Sequence, residues 1–153
     1  MTKEVNLDEV LATDNLMQAC EAVKRNKGSA GIDNRDIKQT QQHLAQHWLP
    51  IEEKLRTGRY SPSPVKGIYI PKANNGQRLL GIPTVPDRLI HQAIHQQLNR
   101  QFDPLFSDHS YGFRPNRSTH DAVKAAQAYY QPGKTWVVDI DLKAFLITSI
   151  MTV

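Results

Sequence analysis

Apolar residues before position 61 recur at spacings of three and four, which is the pattern of helices that bury one side. The first such stretch covers residues 14–26, and the second begins near Ile37. Pro50 is suited to the first turn of a helix, so the pattern predicts a new helix at 50–57 that ends at Gly58. The stripe of the first helix consists of Leu16, Ala19, Cys20 and Val23.

The pattern then changes to short apolar and β-branched runs, at 67–71 and 77–83. Asn75 and Gly76 lie between the two runs, and an Asn-Gly pair in this position is a strong signal for a tight turn. The sequence therefore predicts a β-hairpin that follows the helices of the first sixty or so residues.

Two further helices are predicted after the hairpin. Asp87 is suited to cap a helix over 88–101, and Ser118 with Asp121 forms a capping-box-like pair before a helix over 119–131. The expected buried stripe of the first of these helices consists of Leu89, Ile90, Ala93, Ile94 and Leu98.

Residues 136–142 alternate as a half-buried strand does. One face carries Trp136, Val138, Ile140 and Leu142. The other face carries Val137, Asp139 and Asp141. Together these elements predict a helix-rich α+β fold.

Composition narrows the setting of this fold. A chain of 153 residues is long enough for a domain with its own core. No apolar run approaches the roughly 20 residues that a bilayer span needs, so we expect no membrane partner. The single cysteine, Cys20, excludes an internal disulfide and favours a reducing, cytoplasmic location. Its place in an apolar stripe predicts a packed thiol rather than a nucleophile.

The charge is uneven along the chain. Residues 1–60 contain nine basic and nine acidic side chains, whereas residues 61–134 contain nine basic and four acidic ones, a local net charge of +5. Residues 135–153 have a net charge of −1. A basic middle segment indicates a surface for a polyanion, although solvated surfaces of other proteins have similar charge.

Three groups of residues are candidates for chemistry. Asp139 and Asp141 offer hard oxygen ligands that suit Mg²⁺, or they mark the wet face of an edge strand. Lys72 and Arg78 flank the hairpin tip, where they can bind a triphosphate or simply be solvated. The third group alternates aromatic residues, which can stack on bases, with cations, which can bind phosphate. The same sequence is also consistent with buried aromatic residues beside surface arginines. The members of this group are Tyr111, Phe113, Arg114 and Arg117.

Three runs of sequence then point to one family. They read YIPKANNGQRLLGIPTVPDRLIHQAI at 69–94, SYGFRPNRSTHDAV at 110–123 and VVDIDLKAF at 137–145. In order and spacing they resemble the early conserved blocks of group II intron-encoded reverse transcriptases. The loop KGSAGID at 27–33 resembles the N-terminal extension block of the same family, and the resemblance covers about residues 13–145.

The resemblance implies a right-hand polymerase with fingers first and palm next. It implies RNA-directed DNA synthesis on an RNA template with a DNA primer, dNTP and Mg²⁺, together with binding of group II intron RNA that assists splicing. Lys72 and Arg78 then contact the nucleotide triphosphate, and Arg88 is a further nucleotide-site candidate. Asp141 corresponds to the first catalytic, metal-binding aspartate, and Asp139 is a second candidate metal ligand.

The same resemblance assigns the aromatic and basic group to RNA. Arg114 and Arg117 are expected to contact RNA or template, and Tyr111 and Phe113 lie in the same template-side block. The remaining catalytic aspartates of the family lie in blocks that follow its first one, and this chain departs from the family pattern after Phe145.

The expected organisation has four parts. Residues 1–60 form a helical N-terminal extension, 61–134 a basic fingers-like region, 135–145 the first palm strand with the catalytic aspartate, and 146–153 a tail outside the family pattern. The prediction is a truncated reverse transcriptase/maturase that does not polymerise alone. A residual intron-RNA-binding module and a non-functional pseudogene product are the alternatives. The uncharged, β-branched tail predicts self-association.

Overall fold

The structure, a computed structural model, describes residues 5–73, 75–130, 133–134 and 136–142. The chain divides into two units, Met1–Phe106 and Ser107–Val153. This boundary lies inside the region 61–134 that the sequence treats as one part.

The first unit contains four helices and one hairpin in its described residues. In chain order they are α1 Leu7–Leu11, α2 Thr13–Arg25, α3 Ile37–Arg56, β1 Lys66–Pro71, β2 Gln77–Ile82 and α4 Val85–Phe102, followed by a 3₁₀ turn at Asp103–Leu105. The second unit contains α5, Thr119–Tyr130. The helix-rich α+β class is therefore confirmed. No helix in the described part of the chain is both long and apolar enough to cross a membrane.

The core of the first unit lies where α4 packs against α1 and α2. Ala19 and Ala93 are almost completely buried, and their small side chains allow the two longer helices to approach closely. Asn15 is buried between the helices, where its amide donates to the carbonyls of Val10 (2.8 Å) and Ala93 (3.0 Å). Partly buried neighbours extend this core, and Cys20 among them confirms the packed thiol. They are Val5, Leu16, Cys20, Leu44 and Trp48.

Helix α3 consists of two helical stretches joined across a kink, in agreement with the two helices that the sequence predicts. The kink lies at His47 (φ −123°, ψ 15°), three residues before Pro50. Proline has no N–H for the carbonyl of Gln46 and its ring crowds that carbonyl, so the distortion falls in the turn before the proline. The predicted end is confirmed, because Gly58 adopts φ +67° and donates to the carbonyl of Leu55 (3.2 Å).

The hairpin predicted around Asn75 is also confirmed. β1 and β2 pair antiparallel, with Ile70 opposite Arg78 and Pro71 opposite Gln77. The backbone N–H of Lys72 donates to the carbonyl of Gly76 (2.7 Å), which closes the loop. Asn75 adopts φ +58°, a left-handed conformation that asparagine tolerates better than most residues.

Helix α4 begins earlier than the sequence predicts. Its N-cap is Thr84, whose hydroxyl accepts from the N–H of Asp87 (3.4 Å). The prediction that Asp87 caps the helix is wrong, because Asp87 lies inside the first turn and its carboxylate is buried. The predicted stripe is confirmed for three residues only: Leu89, Ile90 and Ala93 are buried, whereas Ile94 and Leu98 are exposed.

In the second unit, α5 matches the predicted helix at 119–131, and its capping pair is confirmed. The N–H of Ser118 donates to the carboxylate of Asp121 (3.0 Å), and the N–H of Asp121 donates back to the Ser118 hydroxyl (3.3 Å).

The predicted strand at 136–142 is wrong for this structure. These residues have no regular secondary structure. Side chains from both predicted faces are exposed, Trp136 by 92% and Val137 by 88%. A strand needs a neighbour for its backbone N–H and C=O groups, and no described segment pairs with this one. The tail at 146–153 lies outside the described residues.

The loop between α2 and α3 packs against the start of α4. Gly31 is buried, and a Cβ atom there would lie 2.7 Å from Cα and 2.8 Å from the backbone N of Thr84. Lys66 of β1 donates from Nζ to the side-chain oxygen of Asn34 at the end of this loop (3.2 Å). Only glycine therefore fits at position 31 without moving the backbone that leads into α4.

We expect Gly31→Ala to lower the free energy of unfolding by about 2 kcal/mol, because the added methyl group meets backbone rather than a flexible side chain. Gly58→Ala is the matched control. Its Cβ meets no atom within 4 Å, so only its positive φ opposes the change, at about 1 kcal/mol. Urea denaturation of both variants measures the difference. Equal losses, or a smaller loss in Gly31→Ala, would contradict this packing.

Candidate functional site

The hairpin presents its two predicted nucleotide-binding cations on one face. Side chains alternate along a strand, so residues two positions apart share a face. Ile70 lies opposite Arg78 and two positions before Lys72. The hydrogen bond from Lys72 to Gly76 continues the same register, so position 72 falls on the face of Arg78. Both cations are exposed, and neither forms an ion pair with another described residue. The structure thus places at one tip two positive charges that have no ion-pair partner in the part of the chain that it describes.

A buried carboxylate lies at the base of this hairpin. Asp87 is 2% exposed and accepts hydrogen bonds from the Tyr60 hydroxyl (2.6 Å), the Ser63 backbone N–H (3.2 Å) and the Thr84 hydroxyl (2.5 Å). Burial, and after it the hydrogen bond to Asp87, raises the pKa of the Tyr60 hydroxyl above its ordinary value. The sequence patterns gave no signal for this group, since Tyr60 and Asp87 are 27 positions apart.

Arg88 contacts residues 28–31 of the loop between α2 and α3, called the glycine loop below. Its Nη2 donates to the carbonyl of Ser29 (2.7 Å), and its guanidinium fills the space that a side chain at Gly28 would occupy. Its Nε is buried without a hydrogen-bond partner in the described structure. The guanidinium therefore joins the 28–31 loop to α4, which the sequence did not predict, although two glycines three positions apart were a visible signal.

In the second unit, the predicted RNA-binding arginines brace their own loop. Arg114 donates from Nη1 to the carbonyls of Ser107 (2.8 Å) and Ser110 (3.2 Å). Arg117 pairs with the carboxylate of Asp108 (3.1 Å), and its Cζ lies 5.8 Å from the ring centre of Tyr111. These contacts bring three of the four predicted residues into one folded loop.

The fourth residue, Phe113, is fully exposed. It adopts φ +56°, which is uncommon for an aromatic residue. A side chain of this size in water on a left-handed backbone contributes nothing to packing, so it is available to a flat apolar partner such as a nucleobase.

The two aspartates lie at the end of the described chain. Asp139 and Asp141 are exposed and two positions apart. Their carboxylates are the hard donors that Mg²⁺ prefers, so the donor chemistry fits that ion. Within the described residues, however, no group of three or more His, Cys, Asp or Glu could hold a metal. Two carboxylates alone are too few ligands for a complete site for that ion.

Comparison with known proteins identifies related sequences. Residues 70–146 match the family described as reverse transcriptase (RNA-dependent DNA polymerase). Protein YkfC of Escherichia coli is 32% identical over 139 residues, which cover 87% of this chain and 36% of YkfC. Group II intron-encoded protein LtrA of Lactococcus lactis is 43% identical over 94 residues, which cover 61% of this chain and 16% of LtrA.

A yeast relative extends the same pattern. The putative COX1/OXI3 intron 1 protein of Saccharomyces cerevisiae is 30% identical over 93 residues, which cover 61% of this chain and 11% of that protein. The chain thus spans between 11% and 36% of the length of these three relatives.

The buried Tyr60 hydroxyl predicts a loss of stability in alkaline solution. A group whose pKa is higher in the folded than in the unfolded chain favours folding fully below its unfolded pKa, about 10 for tyrosine, and loses this contribution as pH rises further. We expect the free energy of unfolding to fall as pH rises past about 10, and to fall less in Tyr60→Phe, which has no hydroxyl to ionise. Urea denaturation at neutral pH and at about pH 10.5 measures both slopes. Identical slopes would argue against the buried hydroxyl.

Proposed function

Because the chain belongs to the reverse transcriptase (RNA-dependent DNA polymerase) family, we propose that it supplies the fingers region and the first catalytic aspartate of a group II intron reverse transcriptase/maturase. The observation that carries the proposal is the family match at 70–146, which contains both hairpin cations and Asp141. The similarity to a group II intron-encoded protein supports the intron assignment. In this proposal residues 1–60 are the N-terminal extension, 61–134 the fingers and 135–145 the start of the palm.

In the proposed reaction the hairpin holds the triphosphate of the incoming dNTP. Lys72 offers a compact ammonium charge, and Arg78 offers a guanidinium fork that fits two phosphate oxygens. Their position on one face and their freedom from ion pairs support this role. Among the described residues, no carboxylate pairs with either cation, so none of these would have to be displaced before phosphate binds.

The family uses divalent metal ions, and Asp141 with Asp139 would hold Mg²⁺. A bound ion there would supply positive charge to phosphoryl oxygens and would lower the pKa of an attacking hydroxyl. Two-metal sites hold ions about 4 Å apart and need several carboxylates. No Asp or Glu follows Asp141 in the sequence, so we propose that a polypeptide of these 153 residues does not polymerise by itself.

A second candidate function is binding of intron RNA without catalysis. The net charge of +5 over 61–134 and the fully exposed ring of Phe113 favour it. Arg117 stacked near Tyr111 leaves a basic, aromatic loop surface on which single-stranded RNA could bind through phosphates and stacked bases. This function is compatible with the first, because a reverse transcriptase of an intron must also hold RNA.

The nucleotide role predicts binding without extension. We expect the 153-residue chain to bind dATP with Mg²⁺, and Lys72→Ala/Arg78→Ala to weaken that binding about tenfold through loss of two phosphate contacts. Arg25→Ala/Lys38→Ala removes the same charge from exposed helix positions and is the control. Isothermal titration calorimetry measures the affinities. Equal weakening by both double variants would leave only a general charge effect.

Extension is measured in parallel with an RNA template, a DNA primer and Mg²⁺. We expect no template-dependent product from the 153-residue chain. Product formation would refute the proposed inactivity while leaving the family and the hairpin role in place.

The RNA-binding role predicts separable effects in the loop. Phe113→Asn keeps a residue that tolerates positive φ, so we expect unchanged stability but about tenfold weaker binding to a single-stranded RNA, because one stacked base contributes about 1–3 kcal/mol. Leu49→Ala, another exposed apolar position, is the control. Fluorescence anisotropy at two salt concentrations measures the affinity. Full affinity in Phe113→Asn would exclude stacking on this ring.

A further inference from the structure

The hairpin that carries Lys72 and Arg78 is attached to the rest of its unit by short segments at both ends. Residues 57–65 lead into β1, and residues 83–84 lead from β2 into α4. Both strands are largely exposed, so packing of the hairpin itself does little to fix its direction. Its direction therefore depends on contacts at its base.

One carboxylate connects the two ends of that base. Asp87 accepts from the Tyr60 hydroxyl and the Ser63 N–H, which precede β1, and from the Thr84 hydroxyl, which follows β2. Asp87 is itself fixed in the first turn of α4 and is 2% exposed, as Thr84 is 3% exposed. The carboxylate thus joins the entry and the exit of the hairpin to the helix that forms the core.

The residue at position 87 has to accept three hydrogen bonds, from Tyr60, Ser63 and Thr84. An ionised carboxylate offers two oxygens with about four acceptor positions and no donor. An asparagine at position 87 would have a single acceptor oxygen. With that oxygen at the Oδ2 position, its N–H groups face the Tyr60 hydroxyl, which loses its acceptor; with it at the Oδ1 position, they face the Ser63 backbone N–H, which cannot accept. A buried donor left without an acceptor loses its hydration without compensation.

A second contact holds the exit on its other side. Thr84 packs against Gly31 so closely that no other residue fits there. The exit of the hairpin is therefore held between the glycine loop and the Asp87 carboxylate. A change at Asp87 leaves the glycine contact at the exit and the Lys66–Asn34 hydrogen bond at the start of β1.

We propose that Asp87 is a positioning residue, which fixes both ends of hairpin β1–β2 on α4 and so holds Lys72 and Arg78 in the orientation that receives the triphosphate. The inference rests on the proposed nucleotide role of these two cations. Asp87 itself contacts neither nucleotide nor metal in this proposal; it acts through the segments that it joins.

The test compares amide hydrogen exchange with dATP affinity in the 153-residue chain. Asp87→Asn changes the acceptor and Tyr60→Phe removes the entry donor. Thr84→Val removes the exit donor together with the N-cap of α4, so Tyr60→Phe, which leaves the cap intact, separates the two effects. Thr84→Ser restores a hydroxyl at the exit. Thr57→Val is the matched control, because the Thr57 hydroxyl bonds only to the end of α3 and to Arg59.

We expect exchange of the hairpin amides at 66–82 to become about tenfold faster in Asp87→Asn and Thr84→Val, while α2 amides keep their wild-type rates. The affinity for dATP should fall about tenfold in the same variants, less in Tyr60→Phe, and return in Thr84→Ser. If Asp87→Asn does not fold, the milder Tyr60→Phe and Thr84→Val variants decide the question.

Two results would overturn the inference in distinguishable ways. Equal acceleration of hairpin and α2 amides, or unchanged dATP affinity when the hairpin is loosened, removes the positioning role and leaves the nucleotide role of the cations intact. No dATP binding by the wild-type chain above that of Lys72→Ala/Arg78→Ala removes the proposed nucleotide role, and the positioning role with it.

Discussion

The close packing of α4 on α2 is the contact on which the first unit depends. Ala19 and Ala93 let the two helices approach, and Asn15 satisfies carbonyls that this approach removes from water. Every other part is attached to α4: α1 lies against it, the glycine loop contacts its first residues, and the hairpin leads directly into it. A helix with one side buried in a core can hold such attachments on its N-terminal turn because that turn cannot move independently.

Elements coded by neighbouring residues could be predicted from the sequence. The α2 stripe, the Asn75 turn and the Ser118 capping pair depend on side chains within a few positions of one another, and all three are confirmed. The prediction that Asp87 caps α4 is wrong because capping rules consider neighbouring residues, whereas its partners Tyr60 and Ser63 are more than twenty positions away. The strand at 136–142 failed for a related reason: alternation describes a face, but only a neighbouring strand creates a sheet.

The candidate residues show the same limit in another form. The sequence and its family resemblance identify which side chains can meet nucleotide or RNA, but not what else those side chains do. Arg114 and Arg117 donate hydrogen bonds within their own loop, and Arg88 connects the glycine loop to α4. Lys72 and Arg78 form no ion pair with any other residue that the structure describes. A cation that braces a loop fixes the shape of a surface, whereas a cation without a local partner can give its whole charge to a ligand.

The buried Nε of Arg88 has a thermodynamic consequence for the glycine loop. A buried donor without an acceptor regains hydration when its surroundings open. Detachment of the 28–31 segment therefore breaks the hydrogen bond from Arg88 to Ser29 but allows the Arg88 Nε to bind water. This lowers the net cost of opening at the junction, where the packing of Gly31 on Thr84 still opposes it, whereas between α2 and α4 the buried amide of Asn15 donates twice and gains nothing by opening. The two junctions therefore differ in what opening relieves: an unmet donor at the glycine loop, and none at the Asn15 amide between the helices.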